Sequence, residues 1–335
     1  MPPEVRILAL AAELPGEPVA LGGIFGCSEA ALSAATGIAA LHHSADGDGP
    51  SALAERAARR ALEVAGVAPA DVAMVIFATA TPDVSFPGSA CFLQDRLGLG
   101  TVPALDVRAQ SAGFLCGLEL AMAFCGNSGP LHGRPTLLAA GEVLSSGLDF
   151  TSAGREMASR LGDGAAVALV GPGSTGLGLR ALEWATDGEL AESFWCEAPG
   201  SARMAGRVQV SDFENGRIYP QGDLGALAAV ARERLADTLA RVRASVGWRA
   251  DQVDLAIVDW VDPEVAQEAA VAAGFDGEGQ VVVPTRRFGN VFAGGLPIAL
   301  AQELPRLDAG ARILLAAAGP GFSWGAAALE QGVRA

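Results

Sequence analysis

The chain has 335 residues, half of them hydrophobic, which is enough for one large α/β domain or two smaller ones. Its formal net charge of −15 argues against nucleic-acid and anionic-membrane partners, because like charges repel. The chain has no lysine, which excludes Schiff-base and P-loop lysine chemistry.

Cysteine usage and hydropathy indicate the cellular setting. The five cysteines are an odd number without a Cys-x-x-Cys pair, so neither a disulfide framework nor a metal site is expected. No apolar run reaches the roughly 18 residues of a membrane span. Residues 7–12 are apolar but follow no basic segment, so they predict a first strand rather than a signal peptide. We expect a cytoplasmic protein.

Apolar runs and helical stretches recur at about half the chain length. Residues 72–78 and 253–259 are similar buried-strand runs, and each follows a helical stretch rich in alanine and arginine. A second similar pair is 133–141 and 310–319. The alternation predicts a layered α/β fold with two similar halves, residues 1–171 and 172–335.

Several short segments together resemble one known family. The run Asp106–Phe114 reads D-V-R-A-Q-S-A-G-F. The other segments are Thr36-Gly37-Ile38, Phe86-Pro87, Gly162-Asp163-Gly164, Phe288-Gly289-Asn290 and Gly321-Phe322-Ser323-Trp324-Gly325. In this order and spacing they resemble the β-ketoacyl-ACP synthase III branch of the thiolase superfamily. The resemblance implies a thiolase-like five-layer α/β/α/β/α fold.

The resemblance also implies an altered active site. Relatives use a Cys-His-Asn triad, and this chain has Ser111 and Asp259 at the cysteine and histidine positions and retains Asn290. The first half would carry the nucleophile position, and the second half would carry the other two residues. A serine hydroxyl is a poor nucleophile without an adjacent base, and a carboxylate cannot donate a hydrogen bond to a thioester oxygen. Decarboxylative condensation is therefore not expected.

Each of these residues also has a structural interpretation. Ser111 could be left in a degenerate site, and Asp259 could cap a strand end. Asn290 could cap a helix that begins at Val291. Asp262 is the better candidate for the N-cap of a helix starting near Pro263. Cys116, on the same helix as Ser111, is interpreted as a core thiol, with replacement of the missing nucleophile as the alternative.

Other positions are assigned to substrate binding by the resemblance. Phe86 matches a phenylalanine at the dimer interface near the partner's acyl tunnel, and Arg155 matches an arginine that contacts coenzyme A. Gly321 lies in the C-terminal glycine segment. By its position next to Asp259, Trp260 could either wall the substrate channel or pack under a loop. The tryptophan and arginine that grip the CoA adenine in many relatives are replaced by alanines, which favours a carrier-protein thioester. These alanines are Ala31 and Ala35.

The combined prediction is an acyltransferase of polyketide or related secondary metabolism. It would move an acyl group from CoA or acyl carrier protein to an acceptor, with no cofactor, no nucleic acid and no membrane. Ser111 would hold the acyl group, Asp259 would be the base or orienter, and Asn290 would bind the carbonyl or acceptor. The alternatives are a non-catalytic partner subunit of an intact ketosynthase and a thioesterase or cyclase in which Asp259 activates water. We expect a homodimer, or a heterodimer with another ketosynthase.

Overall fold

The computed structural model of the chain describes residues 4–126, 129–202, 208–277 and 279–332. Within these ranges, ten strands form one mixed sheet and two short strands, β7 and β8, form a separate antiparallel pair. The strands are β1 Val5–Glu13, β2 Met74–Ala78, β3 Ala104–Val107, β4 Thr136–Val143, β5 Asp163–Pro172, β6 Leu177–Thr186, β7 Phe194–Trp195, β8 Gln221–Gly222, β9 Leu255–Asp259, β10 Val281–Val282, β11 Arg312–Gly319 and β12 Ser323–Gln331.

The large sheet consists of two five-stranded sets with the same topology. Its spatial order is β10-β9-β11-β12-β6-β1-β5-β4-β2-β3. In each set three parallel strands lie at the outer end and antiparallel strands lie toward the centre. The sets meet where β1 pairs with β6, at Arg6 opposite Gly178 and Ile7 opposite Leu177.

Helices cover both faces of each set. They are α1 Glu29–Thr36, α2 Pro50–Ala65, α3 Ser89–Leu97, α4 Gly113–Gly126, α5 Arg155–Ala158, α6 Val210–Glu214, α7 Leu224–Ser245, α8 Pro263–Ala272, α9 Pro284–Phe288 and α10 Gly295–Glu303. In the described part of the chain, no helix is long and apolar enough to cross a bilayer.

Strand alternation assigns the helices to layers. Ile76 of β2 and Leu315 of β11 pack in one core with α4 and α10, which therefore lie between the two sets. The neighbouring Phe77 faces the opposite way, into a core with α2 and α3. Leu314 likewise faces a third core with α7 and α8. The layers are α/β/α/β/α, so the expected thiolase-like fold is confirmed.

Local signals explain where the helices begin. Asp262 caps α8 by accepting hydrogen bonds from the backbone N–H groups of Glu264 (2.9 Å) and Val265 (3.4 Å), as the sequence predicts. Asn290 accepts from the N–H of Phe292 at 3.3 Å, but a short 3₁₀ turn follows and α10 begins only at Gly295. The expectation of a helix from Val291 is therefore wrong by one turn.

Candidate active site

Ser111 lies in the turn that joins β3 to the central helix α4. The turn spans Gln110–Ala112, and Gln110 has a φ of 42°, a left-handed conformation that makes the turn sharp. Ser111 is only 1% exposed, and its Oγ has no hydrogen-bond partner among the described residues. An unpartnered buried hydroxyl costs about 1–3 kcal/mol, so it calls for a functional explanation.

The end of β11 lies directly against this serine. A Cβ built on Gly319 would lie 2.6 Å from Ser111 Oγ and 3.1 Å from its backbone nitrogen. Only glycine leaves room for the hydroxyl at this approach. Gly321 of the same segment is the position expected from the sequence, and the role of Gly319 is not expected from it. Gly321 lies in the turn between β11 and β12, where its own Cβ would approach the Ser323 hydroxyl.

Asp259 ends β9 and is fully buried. Its Oδ1 accepts a hydrogen bond from the Thr285 hydroxyl at 2.6 Å, and Asn290 Nδ2 lies 3.3 Å from both carboxylate oxygens. Asp259 Oδ2 packs against the first residue of α10, because a Cβ on Gly295 would overlap that oxygen. The structure therefore brings Asp259 and Asn290 together and adds Thr285, whose part in the site is not expected from the sequence.

The surroundings of Asp259 change its acidity. Burial raises the pKa of its carboxyl from 3.8 to about 6, because a charged carboxylate is poorly solvated in the interior. Hydrogen bonds from Thr285 and Asn290 lower the pKa and oppose this effect. A carboxyl with this pKa can take up and release a proton near neutral pH, as acid–base catalysis requires.

Ser111 and Asp259 lie at the same end of the β9–β11 pair. Asp259 is opposite Ala317 in the strand register, and Gly319, two residues further along β11, touches Ser111. The two carboxylate oxygens bond to Thr285 and Asn290, and the serine hydroxyl bonds to neither Asp259 nor Asn290. Ser111, Asp259 and Asn290 therefore form a cluster in which only Asp259 and Asn290 are hydrogen-bonded to each other.

The residues assigned to substrate binding lie in different places. Trp260 is buried, and its ring packs edge-on against Phe322 with centroids 5.5 Å apart. Arg155, at the start of α5, lies over the Phe25 ring and approaches the Cys27 sulfur at 3.4 Å. Phe86 is 74% exposed on the loop between β2 and α3. Of these three residues, only Trp260 is adjacent to the cluster.

Two other titratable groups bear on the site. Burial raises the pKa of the Cys116 thiol, which disfavours the reactive thiolate and agrees with a core role. Glu142, at the end of β4, is buried, and its carboxylate accepts hydrogen bonds from the hydroxyls of Thr79 and Thr81 and from the N–H of Ala80. Burial raises the pKa of Glu142 to about 7, against these hydrogen bonds. Glu142 thus anchors the loop that leads to Phe86.

Fold and site define a class of thiolase-fold enzymes, and comparison with known proteins identifies the family. The family model for 3-oxoacyl-[acyl-carrier-protein] synthase III matches residues 105–188, and the model for its C-terminal part matches residues 244–331. The chain belongs to this family.

Individual relatives agree with this assignment. Over 299 residues and 88% of each chain, the identity is 34% to the β-ketoacyl-[acyl-carrier-protein] synthase III of Laribacter hongkongensis. It is 31% to that of Rhizorhabdus wittichii over the same share. The crystal structure of 3-oxoacyl-(acyl carrier protein) synthase III from Pseudomonas aeruginosa superposes with a TM-score of 0.86, 27% identity and 98% coverage of both chains.

Proposed function

We propose that this chain is a ketosynthase III-like acyltransferase that moves an acyl group from a CoA or carrier-protein thioester to an acceptor, without decarboxylative condensation. The setting would be polyketide or related secondary metabolism. The observation that carries the proposal is the buried Ser111 hydroxyl, unpartnered among the described residues, which lies just before α4 and at the same end of the β9–β11 pair as Asp259. The altered triad, in which serine and aspartate replace cysteine and histidine, is part of this proposal.

The proposed first step forms an acyl-serine. Ser111 Oγ attacks the thioester carbonyl carbon, the C–S bond breaks, and the hydroxyl proton passes by way of Asp259 to the leaving thiolate. The N-terminus of α4 and the backbone N–H of Ser111 would stabilise the negative oxygen of the intermediate. In the second step an alcohol, amine or carrier thiol attacks the ester carbonyl, the Oγ–C bond breaks, and the acceptor's proton passes by way of Asp259 to Ser111 Oγ. The reaction requires no cofactor beyond the thioester.

The chemistry of Asp259 argues against the condensation performed by relatives. With a pKa of about 6, Asp259 is mostly ionised at neutral pH and then accepts hydrogen bonds only. Asn290 Nδ2 already points at its carboxylate. A decarboxylating site needs donors that stabilise the enolate oxygen, and an ionised carboxylate would repel it.

Intact-protein mass spectrometry tests the proposal. The purified chain is incubated with a panel of acyl-CoA and acyl-carrier thioesters, alongside Ser111→Ala and the control Cys116→Ala. We expect an acyl adduct on the native chain and on Cys116→Ala, and none on Ser111→Ala. An adduct that disappears only in Cys116→Ala would assign the acyl group to the thiol instead.

Burial of the cluster favours one alternative, a non-catalytic partner subunit. Ser111, Asp259 and Asn290 are all at most 1% exposed, so a thioester must displace neighbouring side chains to reach them. No adduct with any donor, together with co-purification with a ketosynthase that carries the full Cys-His-Asn set, would support that alternative. Steady release of free acid without an acceptor would instead indicate a thioesterase in which Asp259 activates water.

A further inference from the structure

We propose that Thr285 is a positioning residue that gives the Asp259 carboxyl a hydrogen-bond partner in both of its protonation states. The inference deepens the proposed function and rests on it, because a residue that shuttles a proton must be stable with and without that proton. Thr285 lies at the start of α9 and is fully buried.

The geometry around the Thr285 hydroxyl supports two arrangements. Its Oγ1 lies 2.6 Å from Asp259 Oδ1 and 2.8 Å from the backbone carbonyl oxygen of Trp260. A hydroxyl has one proton, so it can donate to only one of these oxygens at a time. When Asp259 is ionised, Thr285 donates to the carboxylate. When Asp259 is protonated, its O–H donates to Thr285 Oγ1, and the threonine proton turns to the carbonyl.

Asn290 cannot perform this exchange. The Nδ2 group donates and does not accept, so it serves the ionised carboxylate only. Its two contacts with Asp259 are 3.3 Å long, at the weak end of the normal range. The other end of the amide is also used, because Asn290 Oδ1 accepts from the N–H of Phe292 at 3.3 Å. Thr285 is therefore the group beside Asp259 that can both donate and accept.

Charged groups on the surrounding elements are paired with one another. Arg286 of α9 pairs with Glu264 of α8 at 2.8 Å, and Arg287 of α9 pairs with Glu303 of α10 at 2.5 Å. Asp262, at the start of α8, lies 3.6 Å from Arg160. On β11 the ionisable residue is Arg312, at the opposite end of the strand from Ala317. Burial and the Thr285 and Asn290 hydrogen bonds therefore dominate the proton equilibrium of Asp259.

Infrared difference spectroscopy tests this inference without a substrate. The spectrum of Asp259→Asn is subtracted from that of the native chain at about pH 5, where a group with the pKa of Asp259 is mostly protonated. The difference isolates the carbonyl stretching band of the protonated Asp259. The same subtraction is made in the background of Thr285→Val and of Thr285→Ser.

The expected result is a band at the frequency of a hydrogen-bond-donating acid, lost on titration to about pH 8. Thr285→Val should shift this band to higher frequency, because the acid then loses its acceptor, and Thr285→Ser should leave it in place. The band of protonated Glu142, identified with Glu142→Gln, should be the same in all three backgrounds. An Asp259 band that is unmoved in Thr285→Val, or absent at every pH, would overturn the proposal.

Acylation kinetics provide a second readout. Thr285→Val should slow the acylation of Ser111 by roughly 10- to 100-fold, because Asp259 loses its partner in both states, and Thr285→Ser should restore the rate. A band shift without any acyl adduct on the native chain would support the role of Thr285 and contradict the proposed function. An acyl adduct on the native chain without a band shift in Thr285→Val would support the proposed function and contradict the role of Thr285.

Discussion

At the scale of single residues, the site depends on two polar groups whose burial is costly. Ser111 Oγ is unbonded among the described residues, and Asp259 carries a carboxyl whose pKa burial raises. Both cost folding free energy, and such costs concentrate where a protein binds or reacts. Gly319 and Gly295 allow this arrangement, since a side chain at either position would overlap the hydroxyl or the carboxylate.

Asp259 should make stability depend on pH. Its folded-state pKa of about 6 is above the ordinary 3.8, so between these values the folded chain binds more protons than the unfolded chain. The free energy of unfolding should therefore fall as pH rises through this window, by about 3 kcal/mol for a shift of this size. Asp259→Asn should remove that part of the pH dependence in urea denaturation. An unchanged pH profile in Asp259→Asn would contradict the prediction.

Glu142→Gln should remove a separate part of the pH dependence, between pH 4.5 and about 7.

Gly319→Ala should slow the acylation of Ser111. The new methyl would lie 2.6 Å from Ser111 Oγ, so the hydroxyl must move away from its position. We expect the rate of Ser111 acylation to fall at least about tenfold and the free energy of unfolding to drop by about 1–3 kcal/mol. The matched control is Gly147→Ala, since no atom lies within 4 Å of a Cβ built there. Equal adduct formation in both variants would show that Gly319 has no role in the site.

At the scale of elements, strand ends and helix starts meet at one place. β3, β9 and β11 end beside the starts of α4 and α10, and the carboxyl ends of parallel strands are where α/β folds commonly place their sites. Asp106, on β3, also caps α3 from outside the helix. Its oxygens accept from the N–H groups of Ser89 at 2.7 Å and Ala90 at 2.8 Å. The strand that leads to Ser111 is therefore tied to α3 through one carboxylate.

Removing this cap should destabilise the first half of the sheet. Asp106→Ala leaves two backbone N–H groups at the start of α3 without their acceptor, which should lower the free energy of unfolding by about 1–3 kcal/mol. Urea denaturation measures the change. Asp95→Ala, at an exposed position on the same helix, is the control and should change stability by less than about 0.5 kcal/mol. Equal stability of the two variants would show that the cap is dispensable.

At the scale of the whole molecule, one edge of the sheet is suited to pairing with another chain. β3 is the last strand on its side, and an exposed strand edge is a site for pairing with another chain. The loop that ends near this edge carries Phe86 and is anchored by buried Glu142. This arrangement supports the prediction of a dimer and leaves homodimer and heterodimer as alternatives.

Phe86→Asp should weaken such a dimer. Because Phe86 is 74% exposed in the single chain, the substitution should change the free energy of unfolding less than it weakens the dimer, since a charge in an apolar interface is costly. Sedimentation velocity of the native chain should show a dimer that Phe86→Asp shifts toward monomer. Val64→Asp on α2 introduces the same charge at a position that is 76% exposed and should leave the dimer intact. A native monomer would refute the dimer prediction.

The sequence alone was enough to predict the layered fold. Residues 72–78 and 255–258 are hydrophobic at every position, because parallel strands between helix layers are buried on both faces. Such runs consist of residues that are neighbours in the chain, so they can be recognised from the sequence alone.

The contacts within the site were decided by the tertiary structure. Thr285 meets Asp259 across 26 positions in the chain, and Gly319 meets Ser111 from the end of a different strand. The raised pKa of Asp259 likewise comes from burial by distant segments. The sequence determined which side chains could take part in the site. Only the packing of separate elements decided which of them touch, because contacts between distant positions leave no periodic signal in a single sequence.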